Sequence, residues 1–193
     1  LVVVFDGEEY RTRGRIAHIV DNLIAERRIR PIALALVDNG GRARGVEYLC
    51  SDATAHFVLT DVLSLAQEHL NLLDPAGHPG AFGVLGASMG GLMAAYLGMR
   101  APDVFGQVIS QSGAFELAEV ETVLHALVRN GPTPQLKVWL DVGRYEWLLG
   151  PNRRLAALLG ERVYDVTLRE YNGGHNYPSW RNDVWRGLEH LFG

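Results

Sequence analysis

Gly86-Ala87-Ser88-Met89-Gly90-Gly91 is the stretch of sequence that decides the fold. A short apolar run, Phe82–Leu85, precedes it, and a helical pattern, Leu92–Met99, follows it. Gly-x-Ser-x-Gly between a strand and a helix is typical of a nucleophile elbow, a tight turn that holds the serine in strained backbone geometry. Ser88 is therefore a candidate nucleophile. The alternative interpretation is a glycine-rich turn that carries an ordinary serine.

Apolar, β-branched runs alternate with helical patterns on both sides of this segment. The predicted strands are Leu1–Phe5, Ile32–Val37, Phe82–Leu85, Val108–Ser110, Lys137–Val142 and Val163–Arg169. The predicted helices are Ile16–Ile24, Thr54–Leu70, Leu92–Met99, Leu117–Arg129, Pro151–Leu159 and Trp180–Leu191. Runs that are apolar throughout indicate strands buried on both faces. The sequence therefore predicts the α/β class, with a mostly parallel central sheet and helices on both faces.

Length and composition restrict the classes of function. The 193 residues fit a single domain, 1–193. A net charge of −4 offers no basic surface for nucleic acid, and no window reaches the roughly 18 apolar residues of a membrane span. Cys50 is the only cysteine, which excludes an intrachain disulfide and a cysteine-based metal site. Without a recognisable leader the default expectation is the cytoplasm, and the start at Leu1 leads us to expect missing N-terminal sequence.

A serine hydroxyl needs a neighbouring base to take its proton. Five of the seven histidines lie within helical patterns: His18, His56, His69, His125 and His190. His78 precedes the elbow strand and so belongs to the amino-terminal edge of the sheet, whereas sites form at the carboxyl edge. His175 follows the last strand and fits the order serine, acid, histidine. The sequence predicts His175 as the general base, the alternative being an ordinary loop histidine.

The acid that orients the histidine should come from the loop after the strand Lys137–Val142. Two carboxylates compete there. Asp141 is still in the strand, and Glu146 lies in the loop, where its side chain can reach His175. The residues alone leave this choice open, and a solvated loop carboxylate is the alternative for Glu146.

Two backbone amides are candidates for an oxyanion hole. The residue after the nucleophile supplies one N–H, here that of Met89. The second is expected from Asp6-Gly7-Glu8 after the first strand, and we assign it to the Glu8 N–H. Gly7 would let the backbone approach an ester closely, although Asp6-Gly7 also fits an ordinary turn.

The chain resembles the esterase D-like esterases and, within them, the enterochelin (catecholate siderophore) esterase branch. The matching segments, in the family's order, are Phe5–Gly7, Gly86–Leu92, Pro102–Gly106, Ser110–Gly113, Asn152–Leu155 and Gly173–Arg181. The resemblance implies an α/β-hydrolase fold that cleaves small-molecule carboxylic esters without a cofactor or metal. By position it implies Ser88, His175 and Glu146 as the catalytic set and favours Glu146 over Asp141. Some relatives manage with a Ser–His pair.

The resemblance also shows departures. Family members have strands before the first one seen here, and siderophore esterases often carry an additional N-terminal domain. The family further includes feruloyl and acetyl-xylan esterases, S-formylglutathione hydrolases and mycolyltransferases. We therefore expect an esterase core, with a siderophore ester as one substrate hypothesis and acyl transfer as an alternative reaction. A non-catalytic hydrolase-fold binding domain is the alternative from a different class.

The sequence gives few indications of substrate. Arg42 and Arg44 follow the second strand and are candidates for binding an anionic or catecholate substrate, because a guanidinium binds oxygen-rich anions in a bidentate manner. Trp147, Tyr177 and Trp180 are candidates for an aromatic wall. The alternatives are solvated loop charges for the arginines and core packing for Trp180.

Overall fold

A six-stranded parallel sheet forms the centre of the molecule. The computed structural model describes residues 1–193. The strands of the sheet are β1 (Val2–Phe5), β2 (Leu34–Val37), β3 (Phe82–Ala87), β4 (Phe105–Gln111), β7 (Lys137–Gly143) and β8 (Asp165–Tyr171). Their spatial order is β2-β1-β3-β4-β7-β8, and every neighbouring pair is parallel. The predicted parallel α/β sheet is confirmed.

Helices cover both faces of this sheet. They are α1 (Gly7–Thr12), α2 (Ile16–Ala25), α3 (Arg44–Tyr48), α4 (Asp52–Phe57), α5 (Leu63–His69), α6 (Met89–Arg100), α7 (Val123–Asn130), α8 (Leu149–Glu161) and α9 (Tyr177–Phe192). One buried cluster joins one face of the sheet to α4–α8, and a second joins the other face to α2 and α9. None of these helices combines the length and the apolar composition of a membrane-spanning segment.

The segment Leu117–Arg129 differs from its predicted helix. Only its second part is helical, as α7, whereas β5 (Glu116–Leu117) and β6 (Val120–Glu121) form an antiparallel hairpin. Val120 is 67% exposed, so the apolar spacing that resembled a helix stripe does not face the core here. The prediction of one continuous helix is therefore wrong.

The long predicted helix Thr54–Leu70 is interrupted by a π-helical turn over Val58–Val62. A wider turn rotates the residues that follow it relative to a regular 3.6-residue period. Val58 and Leu63 are buried accordingly, while Leu65 is 59% exposed.

The carboxyl ends of the parallel strands meet at one edge of the sheet. Loops after β3, β7 and β8 bring Ser88, Glu146 and His175 to this edge. In open parallel sheets this edge is where ligands bind.

Candidate active site

Ser88 lies at the turn between β3 and α6. Its φ of 58° and ψ of −122° are unfavourable for a residue with a side chain. A Cβ atom at Gly86 would collide with the backbone of Gly90, so the turn requires glycine there. Nine of the twelve residues of α6 are buried, which fixes the helix that follows Ser88 in the core. The close contact between Gly86 and Gly90 and the buried helix α6 thus hold Ser88 in its strained backbone conformation.

His175 lies between Ser88 and Glu146. Its Nε2 atom is 3.1 Å from the Ser88 Oγ, and its Nδ1 atom is 2.6 Å from the Glu146 Oε2. An ionised carboxylate can only accept hydrogen bonds, so Nδ1 carries a hydrogen and donates a hydrogen bond to Glu146. In neutral imidazole Nε2 is then the acceptor for the Ser88 hydroxyl. The geometry suits proton transfer from serine to histidine.

The Glu146 side chain is completely buried, whereas the His175 side chain is 17% exposed. The Glu146 Oε1 accepts from the Gly143 N–H and the Ser112 hydroxyl, each at 2.6 Å. Burial alone raises the pKa of this carboxyl, but hydrogen bonds from His175, Ser112 and Gly143 outweigh that effect and keep the pKa below its ordinary value. Glu146 is therefore ionised near neutral pH.

Asp141, the alternative acid, lies elsewhere. Its carboxyl is fully buried in β7, where it accepts from the Gln111 amide at 3.2 Å and the Trp139 indole at 3.1 Å. Burial and the nearby Asp183 raise the pKa of Asp141 to about 8. The structure thus pairs His175 with Glu146 and not with Asp141, because a strand residue inside the sheet cannot reach the loop that carries His175.

The two amides expected to bind an oxyanion differ in their surroundings. Met89 begins α6, and its N–H has no hydrogen-bond partner in the protein. The Glu8 N–H donates to the Asp38 Oδ1 at 2.6 Å. An oxyanion could use the Glu8 amide only by displacing the Asp38 carboxylate, so the Glu8 assignment is weakened while the Met89 assignment stays a prediction.

The two arginines expected to bind substrate, Arg42 and Arg44, differ in their surroundings, and their role stays a prediction. The Arg44 guanidinium is bound on two nitrogens by the Asp6 carboxylate. Arg42 is exposed in a short 3₁₀ turn and makes no hydrogen bond or ion pair. The Arg44 guanidinium therefore already has a carboxylate partner within the protein, which the pattern of residues in the sequence could not reveal.

The two tryptophans considered for an aromatic wall occupy different environments. Trp180 is 5% exposed, packs edge-on against His175 at 5.0 Å between ring centroids, and donates to the Ser112 Oγ. Trp147 is 74% exposed and lies 4.7 Å from the His175 ring, centroid to centroid. Of the two, only Trp147 presents an open aromatic surface beside the site. The burial of Trp180 favours the core-packing interpretation, and a substrate contact by Trp180 stays a prediction.

A cleft of about 640 Å³ opens beside Ser88. Its walls include Met89, Leu117, Trp147, Pro151 and Arg154. The β5–β6 hairpin supplies one wall, with Glu116 bound to Arg154 through two hydrogen bonds of 2.6 and 2.7 Å. This volume lies within the range of small-molecule sites in proteins.

Sequence reasoning missed the hairpin wall, the Arg154 guanidinium and the Ser112 hydroxyl. Arg154 and Ser112 both lie in segments that carry the family resemblance, so a role for them was within reach of the sequence. Arg154 and its partner Glu116 are 38 residues apart along the chain, and Ser112 and its partner Glu146 are 34 apart, separations that local patterns do not report. No group of three or more His, Cys, Asp or Glu side chains is arranged to hold a metal ion.

Ser88 is a strained serine at the end of a parallel strand, a buried helix follows it, and a loop histidine is hydrogen-bonded to it. These features define an α/β-hydrolase fold of the esterase type. Residues 1–191 match the esterase family described as "Putative esterase". The chain belongs to this family.

Individual relatives narrow the comparison. The iron(III) enterobactin esterase of Escherichia coli (strain K12) is 28% identical over 200 residues, covering 100% of this chain and 49% of that protein. The crystal structure of the enterobactin esterase from Shigella flexneri in the presence of enterobactin matches with a TM-score of 0.87 and 28% identity, over 98% of this chain and 50% of that one. A ferulic acid esterase matches at 15% identity and a TM-score of 0.77, covering 99% of this chain and 83% of that one, which shows a shared fold alone. The chain spans about half the length of the enterobactin esterases it matches.

Proposed function

We propose that the protein hydrolyses carboxylic esters through an acyl-enzyme on Ser88. The observation that carries this proposal is the pair of hydrogen bonds made by His175. They join Nε2 to the Ser88 Oγ at 3.1 Å and Nδ1 to the Glu146 Oε2 at 2.6 Å. Membership of the esterase family and the open cleft beside Ser88 support it.

In the proposed reaction His175 takes the proton of the Ser88 hydroxyl while Oγ attacks the ester carbonyl carbon. The Met89 N–H stabilises the negative charge that develops on the carbonyl oxygen. His175 then gives its proton to the alcohol oxygen as the carbon–oxygen bond breaks, which leaves the acyl group on Ser88. A water molecule repeats the sequence and releases the carboxylic acid. Glu146 holds the imidazole in the required tautomer and stabilises it when it is charged.

For the substrate we propose an ester of the catecholate siderophore type. The named enterobactin esterases that match the whole chain are the support for this choice. The exposed Trp147 ring and the apolar wall at Leu117 and Pro151 offer surfaces for planar aromatic groups. The Arg154 guanidinium, 59% exposed, lies at the edge of the same cleft, where its charge is paired with the Glu116 carboxylate.

Three measurements test the function. The first is turnover of p-nitrophenyl acetate and butyrate by the wild type, by Ser88→Ala and by Ser64→Ala, a control on the exposed face of α5. We expect Ser88→Ala to lose on the order of 10³-fold or more and Ser64→Ala to match the wild type. The second is covalent labelling by a fluorophosphonate probe. An unlabelled protein without turnover would instead support a non-catalytic binding domain.

The third measurement is a panel of a ferric catecholate trilactone, a feruloyl ester and short acyl esters, compared by kcat/KM. Preference for the trilactone is expected, and preference for another ester would overturn the siderophore assignment while leaving ester hydrolysis intact. Product analysis with an alcohol acceptor separates hydrolysis from acyl transfer, since only transfer yields a new ester.

A further inference from the structure

Ser112 connects the candidate active site with the buried core. Its hydroxyl oxygen lies 2.6 Å from the Glu146 Oε1 and 2.9 Å from the indole Nε1 of Trp180. The residue is completely buried at the end of β4. The reaction outlined above gives this hydroxyl no role.

The chemistry of the two partners fixes the direction of both hydrogen bonds. An indole N–H can only donate, and an ionised carboxylate can only accept. The Ser112 oxygen must therefore accept from Trp180, and its single proton must be donated to Glu146. A hydroxyl normally rotates among several partners, but here one orientation satisfies both neighbours.

We propose that Ser112 is a positioning residue for ester hydrolysis: oriented by Trp180, its hydroxyl fixes the Glu146 carboxylate that in turn orients His175. The inference rests on the proposed function of this site. Trp180 also packs edge-on against the His175 ring. One side chain thus confines both the histidine and the serine that holds its carboxylate.

Removal of the Ser112 hydroxyl has a predictable electrostatic consequence. The Glu146 carboxylate has three donors, namely Gly143, Ser112 and His175. A hydrogen bond donated to the Glu146 Oε1 draws negative charge towards that oxygen and away from Oε2. Loss of the Ser112 hydroxyl therefore leaves more negative charge on Oε2, the oxygen that faces His175. That charge stabilises the imidazolium form, and the acidic limb of the kcat/KM profile moves to higher pH. The carboxylate is also held less firmly, which lowers kcat.

Few other titratable groups lie beside the hydrogen-bonded residues Ser112, Glu146 and His175. Tyr171, at the end of β8, has its pKa raised by burial and stays neutral over the working range. Asp141 lies beneath Ser112, whose N–H donates to the Asp141 carbonyl oxygen. The Asp141 carboxyl faces Asp183 and Arg169 and has a pKa raised by burial to about 8. Asp141 is unchanged in every variant below, whereas Ser112→Gly also removes a hydroxyl that hydrogen-bonds Tyr171 and lowers its pKa.

The test compares Ser112→Gly with Ser110→Ala. Ser112 has a φ of 49°, a left-handed conformation that glycine adopts without steric cost, so the backbone is suited to this change. Ser110 is the matched control, because it is also fully buried in β4 but its hydroxyl has no hydrogen-bond partner. Trp180→Phe keeps an aromatic ring and removes only the indole N–H. Thermal denaturation of each variant confirms that it folds.

Two readouts are measured, the pH profile of ester turnover and the downfield proton resonance of the His175 Nδ1–H. For Ser112→Gly we expect kcat to fall about tenfold, the lower end of the loss that follows removal of a hydrogen-bond partner from a metal-ligating side chain. The acidic limb of the pH profile should rise by roughly half a pH unit. The proton resonance should move or broaden. Trp180→Phe should lower kcat by a smaller factor, and Ser110→Ala should match the wild type in both readouts.

The outcomes separate this inference from the proposed function. A Ser112→Gly variant with an unchanged pH profile and resonance, including one whose turnover is merely lower, would overturn the positioning role while ester hydrolysis stands. A wild-type protein that neither turns over esters nor reacts with the fluorophosphonate probe would overturn the function, and the reaction role of Ser112 with it.

Discussion

Arg44 and Asp6 form a bidentate ion pair in which Nε and Nη2 each lie 2.7 Å from a carboxylate oxygen. The Asp6 side chain is 2% exposed and also accepts from the Asn39 side-chain amide. Asp6 has a φ of 56° and directly precedes Gly7. The pair therefore holds the carboxyl end of β1 in an unusual conformation next to the candidate oxyanion amides.

Arg44→Met should destabilise the protein by about 3 kcal/mol, because it leaves the buried Asp6 charge without its main partner. Urea denaturation measures the free energy of unfolding. Arg42→Met is the control and should change it by no more than about 0.5 kcal/mol, since Arg42 is exposed and unpaired. If Arg44 instead binds substrate, its variant will keep full stability and show only a higher KM for anionic esters.

Glu146→Gln should lower kcat by roughly 10³- to 10⁴-fold with little change in KM, because an amide no longer enforces the Nδ1–H tautomer or stabilises the imidazolium. Steady-state kinetics at pH 7 measures this. Asp141→Asn is the matched control, since it makes the same chemical change at a carboxyl that does not contact His175. Equal losses in the two variants would contradict the assignment of the acid.

Stability should depend on pH through Asp141. Its pKa rises from 3.8 to about 8 on folding, so between these values the folded protein binds a proton that the unfolded chain does not. This contribution is fully present below about pH 4, declines as pH rises to 8, and is constant above it. The free energy of unfolding of the wild type should fall relative to that of Asp141→Asn by up to about 1.4 kcal/mol per pH unit. Urea denaturation of both proteins from pH 4 to 8 measures this. The prediction is contradicted if the free energy of unfolding has the same pH dependence in the wild type and in Asp141→Asn.

The turn of the β5–β6 hairpin is open to stabilisation. Ala118 and Glu119 have φ values of 49° and 65°, the combination that favours Asn-Gly in two-residue hairpin turns. Replacing the two residues by Asn-Gly should stabilise the protein by about 1 kcal/mol, seen as a higher Tm. Ala126→Gly, on the exposed face of α7, should do the opposite by about 1 kcal/mol. A lower Tm for the Asn-Gly variant would rule out this turn geometry.

Trp147→Ala should raise KM for bulky aromatic esters by about tenfold and leave KM for acetyl esters nearly unchanged, because it removes an exposed aromatic surface from the cleft. Trp147→Phe should retain part of the affinity. Tyr145→Ala is a control of similar exposure that does not line the cleft. An effect of equal size on both classes of ester would indicate that the ring acts on His175 instead.

The parts of the molecule that could be predicted are those with local causes. The glycines around Ser88 and the apolar runs on either side report the turn and the sheet directly. His175 could be chosen because chain order and sheet edge are fixed by the topology. The family resemblance then favoured Glu146, and the geometry agrees with that choice.

The parts that could not be predicted depend on distant partners. Glu116 and Glu121 are bound by Arg154 and Arg129, from α8 and α7, and these pairs stabilise a hairpin where the apolar spacing indicated a helix. The turn between its strands contains no glycine, asparagine or proline to announce it. Likewise, nothing in the sequence shows that Arg44 already has a carboxylate partner.

The β5–β6 hairpin, which forms one wall of the cleft, also has a consequence for how the sequence of such a protein can diverge. It is attached to the rest of the molecule by side-chain pairs with two helices and contributes no strand to the central sheet. Its length and composition can therefore diverge without disturbing the sheet or the helix behind Ser88. New specificities could be explored by exchanging this short segment, while the chemistry beneath it is inherited unchanged.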